Sequence, residues 1–99
     1  MASRTRMTDE EISAAVAKLA HWSVQNGKLH REYKFADFPH AVGFMAIAAP
    51  GIEKMNHHPE WSNVYNRVVV DLSTHDAGGI TQKDFELAAL LEGIAKKLA

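Results

Sequence analysis

The stretch VYNRVVVDL, residues 64–72, alternates apolar and polar positions and constrains the fold more than any other part of the chain. Successive side chains of a strand point to opposite faces, so Val64, Val68, Val70 and Leu72 face one way, with Asn66 the polar exception. Tyr65, Arg67, Val69 and Asp71 face the other. One face needs an apolar cover and the other meets water, which predicts an antiparallel sheet with helices on a single side. Asn26-Gly27 is the dipeptide preferred where both central residues of a type I′ turn take positive φ, so WSVQNGKLHREYKF reads as a hairpin. On its second strand Leu29, Arg31, Tyr33 and Phe35 share one side, and His30, Glu32 and Lys34 the other.

Three segments carry the helical period instead. Thr8 stands three residues before Glu11, the spacing of a capping box, and Ile12, Val16 and Leu19 follow, which predicts a helix over 8–20. In DFPHAVGFMAIAAPGIEKM, Asp37 is the expected N-cap and Phe38, Val42, Met45 and Ala49 the expected core stripe. Pro50-Gly51 is expected to kink or interrupt that helix near Ala49. The last helix follows the glycine-rich THDAGG turn, with Thr81 as cap, Asp84 three residues on, and Leu87, Leu91, Ile94 and Leu98 along its apolar side. The order α-β-β-α-β-α implies an α+β two-layer sandwich: a four-stranded antiparallel sheet with helices packed on one face, and room for a short strand near residues 61–65.

A chain of 99 residues with 46% hydrophobic and 23% charged residues suits one domain, expected over 8–99 with a mobile stretch at 1–7. A domain of this size buries a modest share of its surface, so covering a sheet edge in an oligomer would help it. The net charge of −1 supplies no global attraction for nucleic acid or anionic membrane. The absence of cysteine removes disulfides, thiolate nucleophiles and cysteine-ligated zinc. No run approaches the ~20 apolar residues of a membrane span, and MASRTRMTDEE runs into acids rather than a secretory apolar region, so a soluble cytoplasmic protein is expected.

Six histidines remain. Imidazole, with an unperturbed pKa of ~6.5, gives and takes protons near neutrality. His21, His30 and His40 are read as surface or structural residues. His57 and His58 differ, because Pro59 holds His58 extended and places the pair on a stiff corner between elements. His75, beside Asp76 just past the best strand, marks a second corner, and both open onto one pocket if the second helix packs on the sheet. A zinc site from three histidines plus Asp76 or Glu53 is disfavoured, since neighbouring extended histidines point apart and no HxH or HxxxH spacing is present. Hydrolysis through Ser62, Ser73 or Thr74 lacks a nucleophile-elbow pattern. Metal-free proton transfer by the histidines requires nothing that is absent.

The string EKMNHHPEWSNVYNRVVVDLSTHDAGGITQKD, residues 53–84, resembles the signature region of the pterin-4a-carbinolamine dehydratases: acid-Lys, His-His-Pro-x-Trp, Val-Tyr-Asn, Thr-His-acid, Gly and a final Asp. Trp22, FADF at 35–38 and GFM at 43–45 also look like family features. The resemblance implies dehydration of 4a-hydroxytetrahydrobiopterin, or a related hydroxypterin, to quinonoid dihydropterin in pterin cofactor recycling, by a hydro-lyase that needs no metal or other cofactor. It places His57 and His75 as acid/base residues, and His58, Glu53, Trp61, Thr74 and Asp84 around the substrate. It further implies a homodimer or homotetramer with a small hydroxypterin as partner. Pro50-Gly51 and Ser62 depart from the family's usual pattern. A non-catalytic pterin-binding or transcription-factor-dimerising module is the alternative, but a scaffold has no use for all three histidines.

Overall fold

A computed structural model describes residues 5–99. Its elements run α1 (Asp9–Val16), β1 (Ser23–Gln25), β2 (Lys28–Lys34), α2 (Phe38–Met55), β3 (Glu60–Val64), β4 (Arg67–Leu72), a 3₁₀ turn (His75–Ala77) and α3 (Gln82–Lys97). The strands form one antiparallel sheet in the order β1-β2-β4-β3. The α+β sandwich expected from the sequence is present, and the short strand near 61–65 supplies the fourth strand. Of the expected mobile stretch 1–7, residues 1–4 lie outside the described residues, and Met7 N–H donates to the Ile80 carbonyl at 2.9 Å. No helix among the described residues is long and apolar enough to cross a membrane.

One face of the sheet presents Leu29, Tyr33, Val68, Val70 and Leu72, all buried. They meet Ala41, Phe44, Ala48 and Ile52 from α2 and Leu87, Ala88 and Leu91 from α3. Phe44 sits at the centre, its ring 4.9 Å from Tyr33, 5.0 Å from Phe35 and 6.3 Å from Trp61. The other face is polar: His30 bridges Asp71 and Glu32 at 2.8 and 3.0 Å, and Arg67 reaches Glu32 at 2.6 Å. Those two carboxylates hold the His30 imidazole above its ordinary pKa.

Four sequence-based expectations need correction. The strand expected over 64–72 is two strands, because Tyr65 takes φ 53° and the chain reverses at Tyr65-Asn66, pairing Val64 with Arg67. Asn66 is a turn residue rather than a polar exception. Its side chain donates to the Phe35 carbonyl at 3.0 Å, and Asn63 braces the turn through the carbonyls of Tyr65 and Arg67. Helix 8–20 has its capping box but ends at Val16, where the bonds tighten to i→i−3 at Lys18 and Leu19. His21 at φ 72° then turns Trp22 into the core, and burying an indole outweighs four more residues of helix.

In α2 the stripe Phe38, Val42, Met45, Ala49 is not the buried one. Phe38 is 49% and Val42 42% exposed, while Ala41, Phe44, Ala48 and Ile52 point inward. The helix is apolar around most of its circumference, so hydrophobicity does not choose the face; the small Ala41 and Ala48 permit close approach and do. Nor does Pro50 interrupt it. Pro50 and Ala46 lie on the exposed side, where water can take the carbonyl that proline leaves without a donor. Gly51 meanwhile faces α3, where a Cβ would stand 2.9 Å from Leu90 Cδ2.

Glu92 of α3 ties the layers together. Its Oε1 accepts from Trp22 Nε1 at 2.8 Å, Arg31 Nε at 2.9 Å and the Tyr33 hydroxyl at 2.8 Å. Burial opposes the charge, but the bonds from Tyr33, Arg31 and Trp22 outweigh it and hold the carboxyl below its usual range. A carboxylate with a depressed pKa adds stability above its unfolded value, about 4.3, and that contribution disappears as pH falls through the folded value.

Two stability measurements follow from this packing. Phe44→Ala removes a fully buried ring and should lower unfolding free energy by about 3–5 kcal/mol in urea titration. Glu92→Gln should cost about 2 kcal/mol at pH 7, with the gap to wild type closing as the pH drops below about 4. A gap independent of pH would show that the carboxylate charge is not what holds the three donors.

Candidate active site

The end of α2 positions the first two histidines. Asn56 takes the left-handed conformation at φ 52°, its N–H donates to the Glu53 carbonyl at 3.0 Å, and His57 N–H donates to the Ile52 carbonyl at 3.4 Å. These two bonds form a Schellman ending, which turns the chain off the helix axis within two residues. Pro59 then keeps His58 out of helical conformation. Consecutive side chains in extended backbone diverge, so His57 turns inward, only 6% exposed, and His58 turns to solvent.

Inside, His57 Nε2 lies 2.6 Å from Oδ1 of Asp84. Asp84 sits in the first turn of α3 and is fully buried. Its second oxygen, Oδ2, accepts the Thr81 amide at 2.9 Å and the Thr74 hydroxyl at 3.0 Å. Thus one oxygen caps the helix and the other holds the imidazole. A carboxylate at a helix N-terminus is favoured by the peptide dipoles. Among the described residues no buried side-chain nitrogen or oxygen lacks a hydrogen-bond partner, and Nδ1 of His57 has none. Nδ1 is therefore not sealed from solvent, and the ring lines the cleft between the 56–58 and 73–76 segments.

The second corner comes from the end of β4. Thr74 N–H donates to the Gly79 carbonyl at 2.9 Å, and Gly79 N–H returns to Thr74 at 3.4 Å, so the 74–79 loop is pinned at its base. His75 opens the 3₁₀ turn within it, exposed, and Gly78 closes the turn at φ 70°. The two corners face each other across a cleft of about 170 Å³ that His57, His58 and His75 all line. A ring nitrogen with a fixed carboxylate behind it and an exposed imidazole across the cleft can accept and deliver protons on one small molecule.

The other expected site residues fall at different distances from this centre. Glu53 Oε1 accepts from His58 Nε2 at 2.9 Å, but both are exposed, so the pair orients His58 weakly. Thr74 belongs to the cleft wall, while its hydroxyl points at Asp84 and Thr81. Trp61 is not brought to the histidines; it packs edge-on against Phe44 and pairs across the sheet with Val70. Two features of the site escaped the sequence reading, Asn56 and the supporting role of Thr81, while Ser73, weighed there only as a nucleophile, also lines the cleft. An asparagine closing an apolar helix is a recognised left-handed ending and was the available signal for Asn56. Thr81 was read as a cap alone.

Comparison with known proteins bears on the same features. Residues 5–94 match the family model for pterin 4 alpha carbinolamine dehydratase. A protein of Solibacter usitatus, provisionally named as such a dehydratase, is 63% identical over 91 residues, covering 92% of this chain and 96% of that one. One of Burkholderia orbicola with the same provisional name is 48% identical, covering 91% and 90%. A crystal structure described as a transcriptional coactivator/pterin dehydratase from Brucella melitensis superposes with a TM-score of 0.88 at 44% identity, over 92% of this chain and 99% of that one. The resemblance carried by residues 53–84 thus extends through nearly the whole sequence and the whole fold, and the chain belongs to the pterin 4 alpha carbinolamine dehydratase family.

Proposed function

We propose that this protein dehydrates a 4a-hydroxytetrahydropterin to the quinonoid dihydropterin and water, with His57 and His75 moving the protons. The observation that carries this reading is the division of labour in the His57 ring: Nε2 is engaged with buried Asp84, and Nδ1 is left open at the cleft that His75 shares. In the reaction the C4a–O bond breaks, the departing hydroxyl takes a proton and leaves as water, and N5 gives up its proton as the C4a=N5 bond forms. His57 Nδ1 receives the N5 proton. His75, on the opposite corner, gives the proton to the hydroxyl, and solvent restores both at the end of the cycle. Asp84 stabilises the imidazolium that His57 becomes, because the positive charge arises 2.6 Å from a carboxylate oxygen. His58 and Glu53, exposed at the rim, help orient the substrate.

A homo-oligomer accompanies this reading. From Phe38 to Ile52 α2 carries no charged residue, and Phe38, Val42 and Ile47 are exposed on it, a surface suited to burial against another copy. Sedimentation should place the wild type above the 11.0 kDa monomer mass, and Ile47→Glu should shift it towards that mass.

The catalytic test is the absorbance change of freshly generated 4a-hydroxytetrahydropterin in the presence of the protein. Wild type should accelerate dehydration, while His57→Ala and His75→Ala should each lower kcat by about 100-fold or more with the fold intact by circular dichroism. If folded wild type gives no acceleration, the enzymatic reading fails and a pterin-binding or interaction role replaces it.

A further inference from the structure

The support beneath Asp84 is a chain of hydrogen bonds with a fixed direction. Lys83 N–H donates to Thr81 Oγ1 at 3.2 Å, and the Thr74 hydroxyl donates to Asp84 Oδ2 at 3.0 Å. The two threonine oxygens stand 2.7 Å apart. Each hydroxyl has a single proton. Because the Thr74 proton is committed to Asp84, the proton between the threonines comes from Thr81. The order is therefore Lys83 N–H to Thr81, Thr81 O–H to Thr74, and Thr74 O–H to Asp84. Thr74, Thr81 and Asp84 are each at most 1% exposed, so water does not compete, and bonds in such a chain polarise one another.

We infer that Thr81 is a positioning residue: through the Thr74 hydroxyl it fixes the Asp84 carboxylate so that Oδ1 holds His57 by its Nε2–H and leaves the Nδ1 lone pair at the cleft. The inference rests on the reading of His57 as proton acceptor and adds to it the group that sets which nitrogen accepts. Capping alone does not account for the arrangement. An N-cap needs only an oxygen that accepts from the helix backbone, which Asn or Asp also provides. The Thr81 proton does no capping; it is spent on Thr74, and only a hydroxyl both accepts from Lys83 and donates onward. Without that donation the Thr74 hydroxyl is free to turn to a backbone carbonyl. Asp84 Oδ2 would then keep one donor, the Thr81 amide, about which the carboxylate can swing.

The test uses histidine labelled with ¹⁵N in the full chain, where long-range ¹H–¹⁵N correlation distinguishes a ring protonated at Nε2 from one protonated at Nδ1. Wild type should show His57 as the Nε2–H form. Thr74→Val, which leaves the helix cap intact, and Thr81→Val should each give a mixture of the two forms. In the dehydration assay both should lower kcat about tenfold with KM within about twofold, as expected when a supporting partner is lost but substrate contacts remain. Thr81→Ser restores the hydroxyl and should return both spectrum and kcat to wild type. If the folded Thr74→Val protein keeps a pure Nε2–H spectrum and wild-type kcat, the hydroxyl chain has no positioning role; should Thr81→Val not fold, Thr74→Val decides alone. If wild type shows no dehydratase activity, the reaction assignment falls, and the spectrum still decides whether the threonines set the His57 tautomer.

Discussion

A single carboxylate, that of Asp84, joins the architecture of this domain to its candidate active site. One oxygen closes the capping box that starts α3, and the other anchors His57 at the end of α2. The two helices are thereby locked at the end of the sheet where the 73–76 segment leaves the central strand β4. A buried carboxylate is tolerable only when its acceptor sites are filled, and here the Thr81 amide, the Thr74 hydroxyl and the His57 ring fill them. The requirement runs both ways. His57 cannot take its inward position unless α2 ends at Asn56, and Asp84 cannot remain buried unless His57 arrives.

The layer architecture was readable because it rests on periodicity. Leu29, Tyr33, Val68, Val70 and Leu72 repeat at spacing two, and Leu87, Leu91, Ile94 and Leu98 at helical spacing; all pack on the core as their patterns require. Where the sequence misled, local pattern and tertiary packing disagreed. Tyr65 occupies a left-handed turn position that bulky residues seldom take, so nothing local marks the break between β3 and β4. The strain is offset by Asn63 and Asn66, whose amides bind backbone carbonyls around the turn, one of them on β2's continuation at Phe35. The buried face of α2 was ambiguous for another reason. Apolar side chains surround the helix, and only contact with the sheet reveals that Ala41 and Ala48, rather than Phe38 and Val42, lie at the close approach.

The candidate site was legible as a set of residues and not as a geometry. Proline after His58 implied a corner and divergent imidazoles, and the two rings do part, one to Asp84 and one to solvent. The sequence offered no means of deciding which of them goes inward. That depends on the Schellman ending, which places the residue immediately after Asn56 towards the core. Trp61 shows the converse. Its neighbours in the motif suggest a pocket wall, but it occupies an inward-facing position of β3, opposite Val70, and its ring is committed to Phe44.

A larger concavity lies elsewhere among the described residues, a cleft of about 770 Å³ between β2 and the C-terminal half of α3. Size does not make it the centre of the chemistry. Glu92 within it commits Oε1 to Trp22, Arg31 and Tyr33, and Arg31 is further occupied by stacking 4.1 Å from the centre of the Tyr33 ring. Groups engaged with one another in this way hold the layers together. The histidine cleft is smaller, but it contains an imidazole with one nitrogen anchored and the other unpartnered, facing a second imidazole on a pinned loop. Proton transfer of the kind proposed needs a rigid support and an open valence, and that combination arises here because the ends of α2 and β4 and the start of α3 converge on one carboxylate.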